Sequence, residues 1–269
     1  MAKQRLLLVT QRIHPYLSID EPTLGKTFPQ KIAAAGYEVR AFMPKFGMVN
    51  ERRNQLHEVI RLSGINIPID NNDHPLVIKV ASLQPSRIQV YFIDNDDYFT
   101  KSADDLDDLG SNRTDNDERA IYFAHGTADT VKKLLWEPAV VHVAGWISSF
   151  LPMYLKQLYS RESTYLNSKV VYSVLPDKIT GKLSQGIFKK LVDEGFDPKK
   201  LEAYKPLPLD TNLLHMMAID NSDAVIFHTE DTPKVLLDRV KERGIPILSY
   251  DKLQEGVNAV AEFYKSLEK

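Results

Sequence analysis

The 269-residue chain contains no cysteine. That excludes disulfides and thiolate metal sites, and it suits a reducing compartment. No apolar run approaches the roughly 20 residues that a membrane-spanning helix needs, so no membrane partner is expected. After Met1-Ala2-Lys3-Gln4-Arg5, only Leu6 to Val9 are apolar before polar residues return, which is too short for the core of a signal peptide. A cytoplasmic location is therefore expected. Neither sign of charge dominates: the formal net charge is -2, so the overall balance points to no nucleic-acid partner. Repeats, heptads, low-complexity segments and long linkers are also missing, which predicts a single domain over residues 1–269.

The familiar chemical motifs are missing too. There is no Gly-x-Ser-x-Gly, no paired-glycine dinucleotide fingerprint and no His-Glu-x-x-His. The 7 histidines never recur at i, i+4, so neither a metal nor a cofactor is expected. Gly25-Lys26-Thr27 echoes the end of a phosphate loop, but Asp20 stands where the upstream glycine belongs. Ten carboxylates fall between Asp94 and Glu118. An EF-hand counted from Asp94 would put its glycine at Phe99 and its glutamate at Asp105, so the stretch reads as a solvated acidic loop.

What is present is a patterned core, with 43% hydrophobic residues. Arg5–Thr10 reads as a buried opening strand, Phe28, Ile32 and Ala35 as a helix ended by Gly36, and Glu38–Met43 as a second strand. This βαβ opening predicts an α/β fold with one Rossmann-like, doubly wound, mostly parallel sheet. An antiparallel excursion is expected over about 57–93, where short strands are broken by Asn71-Asn72 and Pro85-Ser86. Helical spacing returns over Glu118–Leu135. Strands at 139–143, 169–175, 224–228 and 245–250 then alternate with helices near 147–159, 184–195, 210–219 and 231–243. A final helix is predicted over about 251–267, with Val257, Val260, Phe263 and Leu267 on one side.

The most informative stretch is Val140-Val141-His142-Val143-Ala144-Gly145-Trp146-Ile147-Ser148, followed by Leu151-Pro152-Met153-Tyr154-Leu155-Lys156. It resembles the segment where glycogen/starch synthases carry His-Asp-Trp-His and then Pro-x-Tyr-Leu-Lys. Other pieces resemble the same family in the same order. They are Leu8-Val9-Thr10 with Pro15-Tyr16, Gly36–Arg40 with Met43–Gly47, Val90–Asp94 with Tyr98-Phe99, Asp115–Arg119, and Ser222–Val225 with Thr229. The resemblance covers roughly residues 4 to 243. It implies half of a GT-B fold: the N-terminal, glucan-acceptor side, without the C-terminal nucleotide-sugar domain.

The polar positions that the resemblance would make functional are altered. Ala144, Gly145 and Ile147 stand where the family has its polar trio. Ser18, Asp20 and Glu21 fall on the family's Lys-x-Gly-Gly loop, where two carboxylates would repel a diphosphate. Leu175 and Pro176 replace His-Asn and cannot hydrogen-bond a sugar or phosphate through their side chains. Asp115, Arg119, His142 and Trp146 are the family-like cleft candidates that remain. Each also has a purely structural reading: Asp115 and Glu118 as a capping box, His142 as a hydrogen-bonded core histidine, Trp146 as packing between helix and sheet. The resemblance thus implies a degenerate, stand-alone homologue with a binding or regulatory role and no catalytic residue. The alternative is a glycosyltransferase component using ADP- or UDP-glucose and a glucan, with its other half on a second chain. Apolar Ile147, Leu175 and Pro176 at a formerly polar cleft lead to a further expectation: a protein partner or a second copy covers this face, unless the final helix does.

Overall fold

The computed structural model describes residues 3–19 and 24–267. Strand β1 (Gln4–Thr10) pairs in parallel with β2 (Tyr37–Pro44). Next come β3 (His57–Glu58), β4 (Asn66–Ile69), β5 (Asn72–Pro75), β6 (Val77–Leu83) and β7 (Ile88–Asp94). The later strands are β8 (Val140–Ala144), β9 (Lys169–Val174), β10 (Ala224–Phe227) and β11 (Ile247–Leu248). The main sheet runs β11-β10-β9-β8-β1-β2-β7-β6-β3, parallel from β11 to β7, with β6 and β3 antiparallel at one edge. Central strands are covered on both faces: every residue of β8 is buried, as expected for a parallel sheet between helical layers.

The expected excursion divides in two. β6 and β3 extend the main sheet, while β4 and β5 form a separate hairpin. Its two-residue loop, Asp70-Asn71, has φ of 48° and 64°, the positive values that a type I′ turn requires. β7 belongs to the parallel body, in register with β2 from Arg40↔Gln89 to Pro44↔Ile93.

Helices Phe28–Ala34 and Val257–Ser266 lie together on one face, where the rings of Phe28 and Tyr264 both meet His142. On the other face, helix Thr211–Asp220 receives Tyr172 of β9 through His215, and helix Asn116–Lys133 packs on the segment after β8.

Two predicted helices are corrected. The one near 147–159 is a 3₁₀ turn at Trp146–Ser148, a short α-turn at Leu151–Met153 and a π-turn at Tyr154–Leu158. Pro152 brings no N–H to this segment, and the Tyr159 N–H reaches the Tyr154 carbonyl, five residues back. The final helix is divided at Gly256, whose φ of +93° an α-helix does not admit. Its second part packs beside helix Phe28–Ala34, with Val260 and Tyr264 buried, and its first turn shares a concavity with His228 beyond the end of β10.

Candidate functional site

From β1 the chain winds to one side through β2 and β7, and from β8 to the other through β9 and β10. The carboxyl ends of β1 and β8 therefore flank a topological switch point, where open α/β sheets leave a crevice. Gln11 and Arg12 follow β1, Gly145 follows β8, and Leu175, Pro176 and Asp177 follow β9.

The crevice is filled from within. Gly145 has φ +86° and ψ 166°, and a Cβ there would lie 2.3 Å from Gln11 Oε1 and 2.5 Å from Gln11 Cδ. Gln11 is only 1% exposed, and its Nε2 donates to Asp177 Oδ2 at 2.5 Å. Its Oε1 has no hydrogen-bond partner among the described residues. Burial pushes the Asp177 carboxyl up; the Arg12 guanidinium opposes this and the Asp107 carboxylate adds to it. The remaining space beside Gln11 and Leu175 is about 10 Å³, enough for one water molecule.

The sequence candidates fall into two groups. Ala144, Trp146 and Ile147 are each 0% exposed, because the turn they form packs against helix Asn116–Lys133. Trp146 thus offers no platform for a sugar ring; its Nε1 has no partner among the described residues. His142 is a core histidine. Its Nε2 shares a hydrogen bond with Ser173 Oγ at 2.7 Å, and burial lowers its pKa to about 3, with His228 adding to the effect. Leu175 is 4% exposed, Pro176 half-buried and Ser18 exposed. Asp20 and Glu21 lie outside the described residues.

Asp115 and Arg119 do not reach the crevice. Asp115 precedes the helix but makes no side-chain cap, because Arg113 occupies both of its oxygens, at 2.9 and 2.6 Å. Glu118, the expected capping-box partner, instead accepts from Tyr98 O–H and Lys190. Arg119 is 2% exposed and donates to the carbonyls of Tyr98 and Gly110 and to Asn116 Oδ1, which ties the acidic loop to the helix. The acidic segment is thus partly internal structure and not only a solvated loop.

Ile147 and Leu175 are buried within this chain, while Pro176 is half-buried, so the apolar face expected there is narrower than its three residues implied. Gln11, Arg12 and Asp177, which define the site, carry no motif. The only local signal is their position one to three residues beyond strand ends.

A family model described as the starch synthase catalytic domain matches residues 24–231. A glycogen synthase of Chlorobaculum tepidum is 32% identical over 237 residues, covering 87% of this chain and 47% of its own. One from Chlorobium luteolum is 28% identical over 258 residues, covering 95% and 51%. Among solved structures, the catalytic domain of starch synthase IV from Arabidopsis thaliana, bound to ADP and acarbose, superposes with a TM-score of 0.69. It is 15% identical and covers 92% of this chain and 52% of its own, so it speaks for the fold. The chain spans about half the length of the curated relatives it matches.

Proposed function

This chain belongs to the starch synthase catalytic domain family, and we propose that it is a non-catalytic member with a binding or regulatory role. The observation that supports this reading is the Gln11 side chain lying in the space where residue 145 would carry its Cβ. In the resembling family that position belongs to the polar trio. Here a carboxylate at 145 would have to displace the Gln11 amide from Asp177, its backbone is left-handed, and both neighbours, Ala144 and Trp146, are buried. An oxyanion or hydroxyl approaching this point would meet an amide already engaged with Asp177. A glucan is the proposed ligand, and binding to glycogen is the corresponding activity.

Incubation with labelled ADP-glucose and glycogen is expected to give no incorporation above a buffer control. Glycogen should still retain the protein in affinity electrophoresis. Protein-dependent turnover lost on Asp177→Asn would overturn the proposal. The second reading, a transferase component completed by another chain, draws on the half-length match to the curated relatives. Incorporation that requires both this chain and a nucleotide-sugar-binding chain would establish it instead.

A further inference from the structure

Across Leu175 from the closed crevice lies a second concavity, an open groove of about 490 Å³ at the carboxyl ends of β9 and β10. The proposed function makes no use of it, and the inference below does not depend on that proposal. Three carboxylates line the groove, Asp177, Asp210 and Asp231, against one ammonium, the exposed Lys178. Asp210 is partly committed: its Oδ1 caps helix Thr211–Asp220 by accepting from the N–H groups of Asn212 and Leu213. Asp177 gives Oδ2 to Gln11. Asp231 is exposed at the rim. The apolar lining comes mainly from the half-buried Pro176 and Pro233, with Leu175 and Leu236 buried behind them.

The second, independent feature is His215, which lines the same groove and is 3% exposed. Its Nδ1 lies 2.7 Å from the Tyr172 hydroxyl. Assigning the shared proton to Nδ1 satisfies both contacts of that hydroxyl, which then donates to the Gly145 carbonyl at 3.3 Å. This assignment leaves Nε2 as a bare acceptor, and no hydrogen-bond donor meets it among the described residues. Burial lowers the ring's pKa to about 4, so it is neutral at pH 7.

The groove therefore presents an excess of acceptors beside a small apolar surface. An anion would be repelled by the carboxylates. A sugar would find few donors, and no Phe, Tyr or Trp lines the groove as a stacking surface. A ligand rich in donors and positively charged, with an apolar body, matches both features. We propose that this groove binds a small aliphatic amine, its ammonium groups held by Asp177, Asp231 and His215 Nε2 and its methylene stem lying on Pro176 and Pro233.

Calorimetric titration of the full chain with spermidine tests this. Saturable binding of one amine per chain is expected, weakened about tenfold by Asp231→Asn, a rim substitution that touches no packed element. Asp177→Asn should weaken it similarly; because it also changes the Gln11 contact, its thermal melting is measured alongside. Glu242→Gln, outside the groove, should leave affinity unchanged. In ¹⁵N spectra the His215 Nε2 resonance should move on titration with the wild type. Non-saturating heat, or affinity unchanged in both aspartate variants, would show only diffuse charge association and overturn the proposal. So would maltotriose binding that moves the same resonance while spermidine leaves it still.

Discussion

Tyr264, on the last helix, holds its hydroxyl 2.5 Å from Nδ1 of His142, on a strand 122 residues earlier in the chain. Nε2 of the same ring meets Ser173 Oγ, which also meets His228 Nε2 at 2.9 Å. A buried polar chain thus joins the last helix to β8, β9 and the end of β10. A neutral ring satisfies both hydroxyls, donating through one nitrogen and accepting through the other, while full burial disfavours the charged imidazolium.

Acid should therefore loosen the fold before most carboxylates titrate. Burial lowers the pKa of His142 to about 3, while its unfolded value is near 6.5. Between those limits the unfolded chain binds the extra proton, so stability is intact above about pH 6.5 and is lost as pH falls. Each such group removes about 1.4 kcal/mol per pH unit. Urea midpoints measured from pH 7 to 4.5 should fall steeply in the wild type. They should fall less steeply in His142→Asn, which starts lower. Parallel slopes in the two proteins would contradict the assignment.

Gly145→Ala should destabilise the chain by about 3 kcal/mol, combining the left-handed backbone with overpacking against Gln11. Gln11→Ala in the same chain should relieve the packing part and leave about 1–2 kcal/mol from the backbone. A double-mutant cycle in urea reads this coupling. Additive effects would mean that Gln11 does not occupy the space beside Gly145.

Arg119→Met should cost about 3 kcal/mol, because it strips the donors from two carbonyls and an amide oxygen in a buried site. Limited proteolysis should then cut within residues 100–113, which the guanidinium ties to the helix. Unchanged resistance to proteolysis would show that other contacts hold this loop.

Ile147→Ala should cost about 2–5 kcal/mol without altering the association state, since the side chain is internal. Light scattering on the wild type tests the expectation of a protein partner or second copy directly. A monomer that copurifies with no other chain would end it, whereas a dimer unaffected by Ile147→Ala would place the contact elsewhere.

Much of the fold could be read from residue pattern. Apolar runs such as Leu6–Val9 and Val90–Ile93 suit strands covered on both faces, and their alternation with helical spacing points to a parallel sheet. The break read at Asn71-Asn72 lies one residue from the actual turn, Asp70-Asn71, whose positive φ values only the structure shows. The single helices predicted near 147–159 and over 251–267 were wrong in continuity, because local spacing does not show which helical hydrogen bonds the surroundings will accept.

The site was legible only in outline. The resemblance marked Ala144, Gly145, Ile147, Leu175 and Pro176 as altered, and the structure places all five at the carboxyl edge of the sheet or buried just behind it. What they do there was decided by tertiary structure. Exposure of Ile147 depended on how the turn after Gly145 packs on helix Asn116–Lys133, and the sequence of the turn does not contain that information. The contact of Gln11 with Asp177 spans 166 residues. The sequence by itself determined the class of fold and the loss of the family's polar side chains, because both depend on residue type and local order. Only the folded chain determined that Gln11 fills the space beside Gly145, because that depends on where two strand ends meet.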